Sequence, residues 1–307
     1  MATFTISKSI EINALPDKVF QILNDYHHWP AWSPWVALEP DVKLTIQPDG
    51  KHYSWEGKRT GSGEMRIEKE SKPRRLDMEV KFLKPWKSVS LVWFDLKPTS
   101  NGTEVTWQMT SRLPFFLFWM KKMMAAYIGM DYVRGLNMLK DYAESGNVPS
   151  SLQFKGVGDY KGCTYVGIRN SCAIDEIGPV MSGDFERLGS WAKDNADQVA
   201  GDAFCIYHEW DIVKNKATYT AASPVAKVTT ALNSGMLSGT LPGCKVYSVS
   251  HKGPYRHLGN AWAAQYLLQR TKAYKHNKSI DPFEVYIKMP GDVSESEIET
   301  EVHFPMK

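Results

Sequence analysis

The stretch DPFEVYIKMP at 281–290 sets an acid, a phenol and an amine at every second residue. Strand geometry puts Phe283, Val285 and Ile287 on one face and Glu284, Tyr286 and Lys288 on the other. A carboxylate beside a phenol can hold a cation, or can activate water as a general base with the phenol as proton donor or orienter. On a wet face it does neither, and Lys288 is placed to neutralise Glu284. The other reactive residues are less suggestive. His27 and His28 lie in a Trp-rich turn and read as hydrogen-bonded structural groups; with no HExxH and no close Cys and His cluster, neither a metal nor a cofactor is expected. Cys244 and His251 are an odd number of residues apart on one strand, so they point to opposite faces and do not form a nucleophile pair. His251 and His257 flank a Gly-Pro turn and read as surface groups. GSG at 61–63 is too short for a nucleophile elbow or a phosphate loop.

What positions these residues is a chain of 307 residues, long enough for two domains. Hydrophobic residues at 43% and charged residues at 23% are ordinary for a globular protein. Residues 1–150 carry 20 Lys and Arg against 17 acids, and residues 151–307 carry 17 against 17, so neither half has the basic excess of a nucleic-acid binder. The four cysteines lie in the second half without CxxC spacing or a secretory signal, which reads as reduced, mostly buried thiols in a cytoplasmic protein. LPFFLFWM at 113–120 is the longest apolar run. It stops at Lys121-Lys122, far short of the ~20 residues a membrane span needs, so stable insertion is not expected. It reads as a hydrophobic lid or core helix, with a surface-lying amphipathic segment as the alternative.

Eight of the eleven tryptophans precede residue 150, and AESGNVPSS at 143–151 has the turn-rich composition of a linker. The first half opens with a strand, TFTISKSIEI, and a helix entered near Pro16 that ends at HHWPAWSPW. Alternating segments YSWEG, EMRIEKE, RLDMEVKF, SLVWFDL and TEVTWQM then predict an antiparallel meander. A final helix is predicted from about Asp131 to Glu144, with Val133, Leu136, Leu139 and Tyr142 facing the sheet.

The second half repeats itself. YKGCTYVGI at 160 aligns with LPGCKVYSV at 241, and FCIYHEW at 204 with FEVYIKM at 283. A Leu-Gly-x-(x)-Trp phrase recurs in FERLGSWAK and YRHLGNAWA. Each copy reads as strand, helix, strand, strand, with a groove between copies related by a pseudo-twofold axis. Cys205 occupies the Glu284 position of the first copy, whereas Tyr207 and Tyr286 agree.

Residues 1–148, through EINALPDKVFQILNDYHHWPAWSPW, GTEVTWQM and DYVRGLNMLKDYAE, resemble the polyketide cyclase and START-like (SRPBCC) superfamily. That resemblance implies a helix-grip fold, an antiparallel sheet wrapped on a long C-terminal helix with an apolar cavity between them. Residues 152–307, through HKGPYRHLGNAW, DPFEVYIKMP and ETEVHFPMK, resemble the GyrI-like effector-binding family. The fold class implied is α+β, a helix-grip domain followed by a duplicated βαββ domain. The second resemblance also implies that Glu284 sits in the groove facing cationic aromatic ligands, with Tyr286, Tyr255, Trp262, Tyr207 and Trp210 as aromatic walls. The expected function is cytoplasmic binding or sensing of a small hydrophobic or cationic aromatic molecule in a bacterium, with no nucleic acid as partner. No helix-turn-helix is visible where regulators of that family carry a DNA-binding segment. Some stand-alone members hydrolyse strained cyclopropane-containing compounds, so the alternative is a hydrolase using Glu284 with Tyr286. A protein-interaction scaffold is the third reading, favoured if both cavities are filled by side chains.

Overall fold

The computed structural model describes residues 2–227 and 232–307, with the side chains of Ala2 and Phe115 outside the description. It divides into two compact units, Met1–Ser150 with Tyr255–Asn260, and Ser151–Pro254 with Ala261–Lys307.

In the first unit β1 (Ala2–Ile12), β2 (Lys43–Ile46), β3 (His52–Glu56), β4 (Ser62–Ser71), β5 (Arg75–Lys84), β6 (Ser88–Pro98) and β7 (Thr103–Leu113) form one antiparallel sheet. Its order is β1-β7-β6-β5-β4-β3-β2, a meander whose first strand returns to pair with the last. Alternation does the work: Leu76, Met78 and Val80 on β5 and Val105, Trp107 and Met109 on β7 are buried, with polar residues between them. Helix α1 (Pro16–Leu23) has Pro at its first position and buries Val19, Phe20, Ile22 and Leu23. It stops at Leu23. Pro30, expected to end it, lies in the first turn of the next short helix, α2 (Trp29–Trp32), where a missing N–H costs nothing.

Helix α3 (Lys121–Ser145) has 25 residues and starts ten residues before the expected Asp131. Its buried stripe is Tyr132, Leu136, Leu139 and Ala143 rather than the one expected at Val133, which is exposed. The reason is a ring stack: Tyr132 lies parallel to Trp107 at 4.0 Å between centroids. A Cβ on Gly135 would meet Trp107 at 2.7 Å, so the absence of a side chain lets the helix approach the indole. Trp29, Trp32 and Trp35 pack edge-on around the same indole. The Trp enrichment is therefore largely core. Among these buried groups the Tyr26 hydroxyl and the indole N–H groups of Trp32 and Trp107 have no hydrogen-bond partner among the described residues. The run expected to be a lid or core helix is instead a 3-10 turn, Phe115–Met120, with Phe116, Phe118 and Trp119 exposed.

In the second unit β8 (Ser151–Tyr160), β9 (Cys163–Cys172), α4 (Ile177–Asp194), β10 (Phe204–Asp211) and β11 (Lys216–Val225) are followed by a second set of five. These are β12 (Leu237–Leu241), β13 (Cys244–Lys252), α5 (Gly259–Arg270), β14 (Phe283–Lys288) and β15 (Glu299–Pro305). All eight strands share one sheet, ordered β12-β9-β11-β10-β14-β15-β13-β8. The two βαββ copies are thus joined along β10 and β14, and the leading strand of each copy is exchanged: β8 pairs with β13, and β12 with β9. The turns that carry this exchange meet. Gly162 has φ +78°, and a Cβ there would lie 2.5 Å from the Gly243 nitrogen, which explains why Gly-Cys recurs in both copies. All four cysteines are free thiols; Cys205 is buried and the other three are half-buried. His251 and His257, expected at the surface, are both buried. His251 sits within β13, paired on both sides by β15 and β8.

Candidate functional site

The seam between β10 and β14 is where the duplication turns into chemistry. Cys205 pairs with Glu284, flanked by Phe204 with Val285 and Ile206 with Phe283. Beyond the ladder, the Tyr207 N–H donates to the Pro282 carbonyl at 3.0 Å and the Tyr286 N–H to the Ala203 carbonyl at 2.9 Å. These pairs are symmetric about Cys205 and Glu284, the two equivalent residues of the repeat, so the pseudo-twofold axis passes between them. Side chains in directly opposed positions stand about 4.5–5.5 Å apart. Two acids there would repel, which accounts for a thiol opposite the carboxylate.

Two positions further on each strand, the matched tyrosines turn back toward the axis. The Tyr207 hydroxyl donates to Glu284 Oε2 at 2.9 Å, and the Tyr286 hydroxyl donates to the same oxygen at 3.0 Å. The Trp262 indole N–H, from the first turn of α5, donates to Oε1. Glu284 is 2% exposed. Its three partners are neutral, and no cation pairs with it among the described residues. Burial pushes its carboxyl above the ordinary range, while the three donors pull it part of the way back. Burial, and then the Glu284 charge, push both phenols well above their usual range, so they stay protonated as donors. Burial and the same charge act likewise on the Cys205 thiol.

Lys288 does not neutralise this acid. A register shift between Tyr286 and Lys288 interrupts the alternation, and the lysine pairs with Glu299 at 3.7 Å. The face shared by Glu284 and Tyr286 is therefore not the face of Lys288. Phe283 and Val285 belong to a separate cluster with Phe204, Ile206 and Val246, while Ile287 is exposed.

Aromatic rings surround the carboxylate. Tyr207 meets Trp262 edge-on at 4.8 Å and Trp210 at 5.8 Å. These three residues are half-buried, whereas the carboxylate beside them is buried. Of the six expected wall and floor residues, five are gathered here. Tyr255 lies in the turn Tyr255–His257, which is grouped with the first unit. Sequence reasoning missed the side contributed by α4. Phe185 packs edge-on against Tyr286 at 5.2 Å, and the Tyr286 hydroxyl lies 3.6 Å from Met181 Sδ. It also missed Phe304, 5.4 Å from Trp262, although ETEVHFPMK carries it.

The shared Trp of the two helices is not equivalent in place. Trp262 is in the first turn of α5, whereas Trp191 is near the end of α4 and packs into a core with Val166, Ile168 and Leu188. A second buried acid, Asp184 on α4, accepts from Tyr219 at 2.7 Å and Asn170 at 3.0 Å, and it has Arg187 at 3.7 Å. Asp184 is thus compensated where Glu284 is not. Among the described residues no cluster of three or more His, Cys, Asp or Glu is arranged to hold a metal ion. No described helix is long and apolar enough to cross a membrane.

Comparison with known proteins agrees with the two-unit architecture. Residues 3–144 match the family described as polyketide cyclase / dehydrase and lipid transport. Residues 161–307 match the GyrI-like small molecule binding domain. Among solved structures, a protein from Mesorhizobium loti is 16% identical over 45% of this chain and 95% of its own, with a TM-score of 0.36. The EcmrR C-terminal domain is 19% identical over 52% of this chain and 98% of its own, with a TM-score of 0.38. SAV2435 bound to tetraphenylphosphonium is 16% identical over 50% and 94%, with a TM-score of 0.39. No curated protein matches the chain.

Proposed function

From a chain that joins a polyketide cyclase / dehydrase and lipid transport domain to a GyrI-like small molecule binding domain, we propose that the second domain binds lipophilic aromatic cations over Glu284, and that the protein is a cytoplasmic sensor of such molecules. The observation that carries this reading is a buried carboxylate held by three neutral donors, with no cation paired to it among the described residues. An ionised group in that setting bears a desolvation cost that a cationic guest offsets. The part-buried rings of Tyr207, Trp210 and Trp262 add attraction for the same guest through their quadrupoles, at roughly 0.5–2 kcal/mol per ring. Because two of these rings donate hydrogen bonds to the acid, a cation resting on them lies close to the charge without displacing a donor. The cytoplasm is the compartment in this reading, supported by four unpaired thiols. Calorimetric titration with tetraphenylphosphonium and with a neutral triaryl compound of similar size tests the proposal. Selective binding of the cation, lost in Glu284→Gln, is expected; equal binding by native protein and variant overturns it.

A hydrolytic reading is favoured by one observation, the upward displacement of the Glu284 carboxyl toward the range useful to a general base. It requires turnover of a strained-ring or ester substrate that disappears in Glu284→Gln. Absence of Glu284-dependent turnover across such a panel removes it.

A further inference from the structure

The first domain carries an aromatic and basic surface unrelated to the carboxylate site. Strands β5 and β6 pair as far as Phe82 with Ser88, so the turn between them projects from one end of the sheet. The neighbouring β7 ends at Leu113 beside Ala2 of β1, and the 3-10 turn Phe115–Met120 continues from that same end. The Ser90 and Ser111 hydroxyls, 2.8 Å apart, tie β6 to β7 just inside it. Trp86 is 62% exposed in the first turn, and Phe118 and Trp119 are each 65% exposed in the second.

Cations interleave with these rings. Lys84 and Lys87 flank Trp86, while Arg112, Lys121 and Lys122 bracket the second segment. None of the five is ion-paired among the described residues, and neither 83–91 nor 112–122 contains an acid. Lys121 and Lys122 also open α3, whose first turn has no acidic residue. Positive charge at a helix N-terminus opposes the helix dipole. The placement works against the helix, which points to a partner outside it.

We propose that this end of the first domain rests on an anionic lipid surface, with Trp86, Phe118 and Trp119 in the interface and the five cations over acidic headgroups. Large rings with a polar edge favour the bilayer interface, and the lysine stems let their charges reach the headgroups. The segment is too short to span a bilayer, so the contact is peripheral and reversible. Charge complementarity selects this occupant over a second copy of the chain, whose matching face would bring five cations against five. The proposal is independent of any ligand at Glu284.

The test is co-sedimentation of the full chain with phosphatidylcholine vesicles, with and without about one third phosphatidylserine. Binding to the acidic vesicles alone is expected, weakening with salt. Each lysine near such a surface is worth about fivefold, so Lys121→Glu with Lys122→Glu lowers the partition coefficient at least 25-fold, as the product of two such factors. Those substitutions suit the helix dipole, so an unchanged or raised melting temperature separates lost binding from lost folding. Trp86→Ala with Trp119→Ala abolishes binding at intact charge. Equal binding to neutral and acidic vesicles, or none to either, overturns the proposal. So does concentration-dependent self-association in sedimentation that the same substitutions remove while vesicle binding persists unchanged.

Discussion

Replacing Glu284 by Gln removes one charge with almost no change of shape, and its consequences can be worked from the site. The amide oxygen can still accept from the Trp262 indole, which can only donate. The amide nitrogen then faces the Tyr207 and Tyr286 hydroxyls, 2.9 and 3.0 Å from the oxygen it replaces, and both phenols can rotate to accept. The indole keeps its acceptor and each phenol keeps one partner while its own O–H loses the carboxylate as acceptor, so the variant should fold with stability at neutral pH within about 1–2 kcal/mol of native, the lost charge-assisted bonds offsetting the removal of a buried charge. Binding should fall. A cation resting on the ring faces about 6 Å from the carboxylate gains roughly 2.8 kcal/mol at an effective permittivity of about 20, near a factor of 100 in affinity. The assay is calorimetric titration of native and variant protein with tetraphenylphosphonium, with a neutral triaryl phosphine oxide as control. The expected result is a ~100-fold loss for the cation and less than about threefold for the neutral compound. A loss of equal size for both ligands, or for neither, would refute the charge argument. So would a variant that fails to fold, because the amide would then not be satisfied as described.

Tyr207→Phe and Tyr286→Phe each remove a hydrogen bond to a charged acceptor and should cost about 1.5–3 kcal/mol in denaturant unfolding at neutral pH. The double variant should cost less than the sum, because the carboxyl can take up a proton once its donors are gone. Cys205→Asp sets a second carboxylate opposite Glu284 and should lose roughly 3 kcal/mol or more at neutral pH, with part recovered in acid; a wild-type unfolding midpoint would contradict the pseudo-twofold pairing. Tyr26→Phe deletes a buried hydroxyl without a hydrogen-bond partner among the described residues, so unfolding free energy should stay level or rise by about 1 kcal/mol, and a clear drop would mean the hydroxyl is bonded. Cation affinity should rise with pH as Glu284 ionises above its ordinary value of 4.5, and that dependence should vanish in Glu284→Gln. In the free protein the same raised carboxyl acts on stability in the other direction. Its contribution is fully present below the unfolded value and is lost as pH rises through the folded one, so ionisation weakens the empty fold while preparing it for a cation.

The recurrence of Tyr207 and Tyr286 in matched phrases already held the information that two phenols share one acid, because equivalent residues of a duplicated strand pair meet at the axis. The difference between Cys205 and Glu284 carried no meaning in the sequence alone; the register that places them face to face supplies it. Local pattern could not show the exchange of β8 and β12, since the choice between edge strands is made by the two Gly-Cys turns packing together in three dimensions. Lys288 misled because period-2 alternation assumes an unbroken ladder, and the irregularity after Tyr286 breaks it. Helix α3 was legible in kind and at Leu136 and Leu139, but its buried stripe opens at Tyr132 rather than Val133 and closes at Ala143 rather than Tyr142; Val133 and Tyr132 are both apolar, and the stack on Trp107 turns Tyr132 inward. The run 113–120 read as a lid or core helix because it is apolar, with a surface-lying segment as the alternative, and Phe116, Phe118 and Trp119 are exposed because apolar character alone does not say which side of the fold receives a side chain.

The most direct measurement is an NMR titration of the Glu284 side-chain carboxyl carbon, in the free protein and with tetraphenylphosphonium bound. The expected result is a titration midpoint above 4.5 in the empty site that falls when the cation binds, because the guest supplies the positive charge the three neutral donors lack. A midpoint at or below the ordinary value, unmoved by saturating cation, would contradict the account.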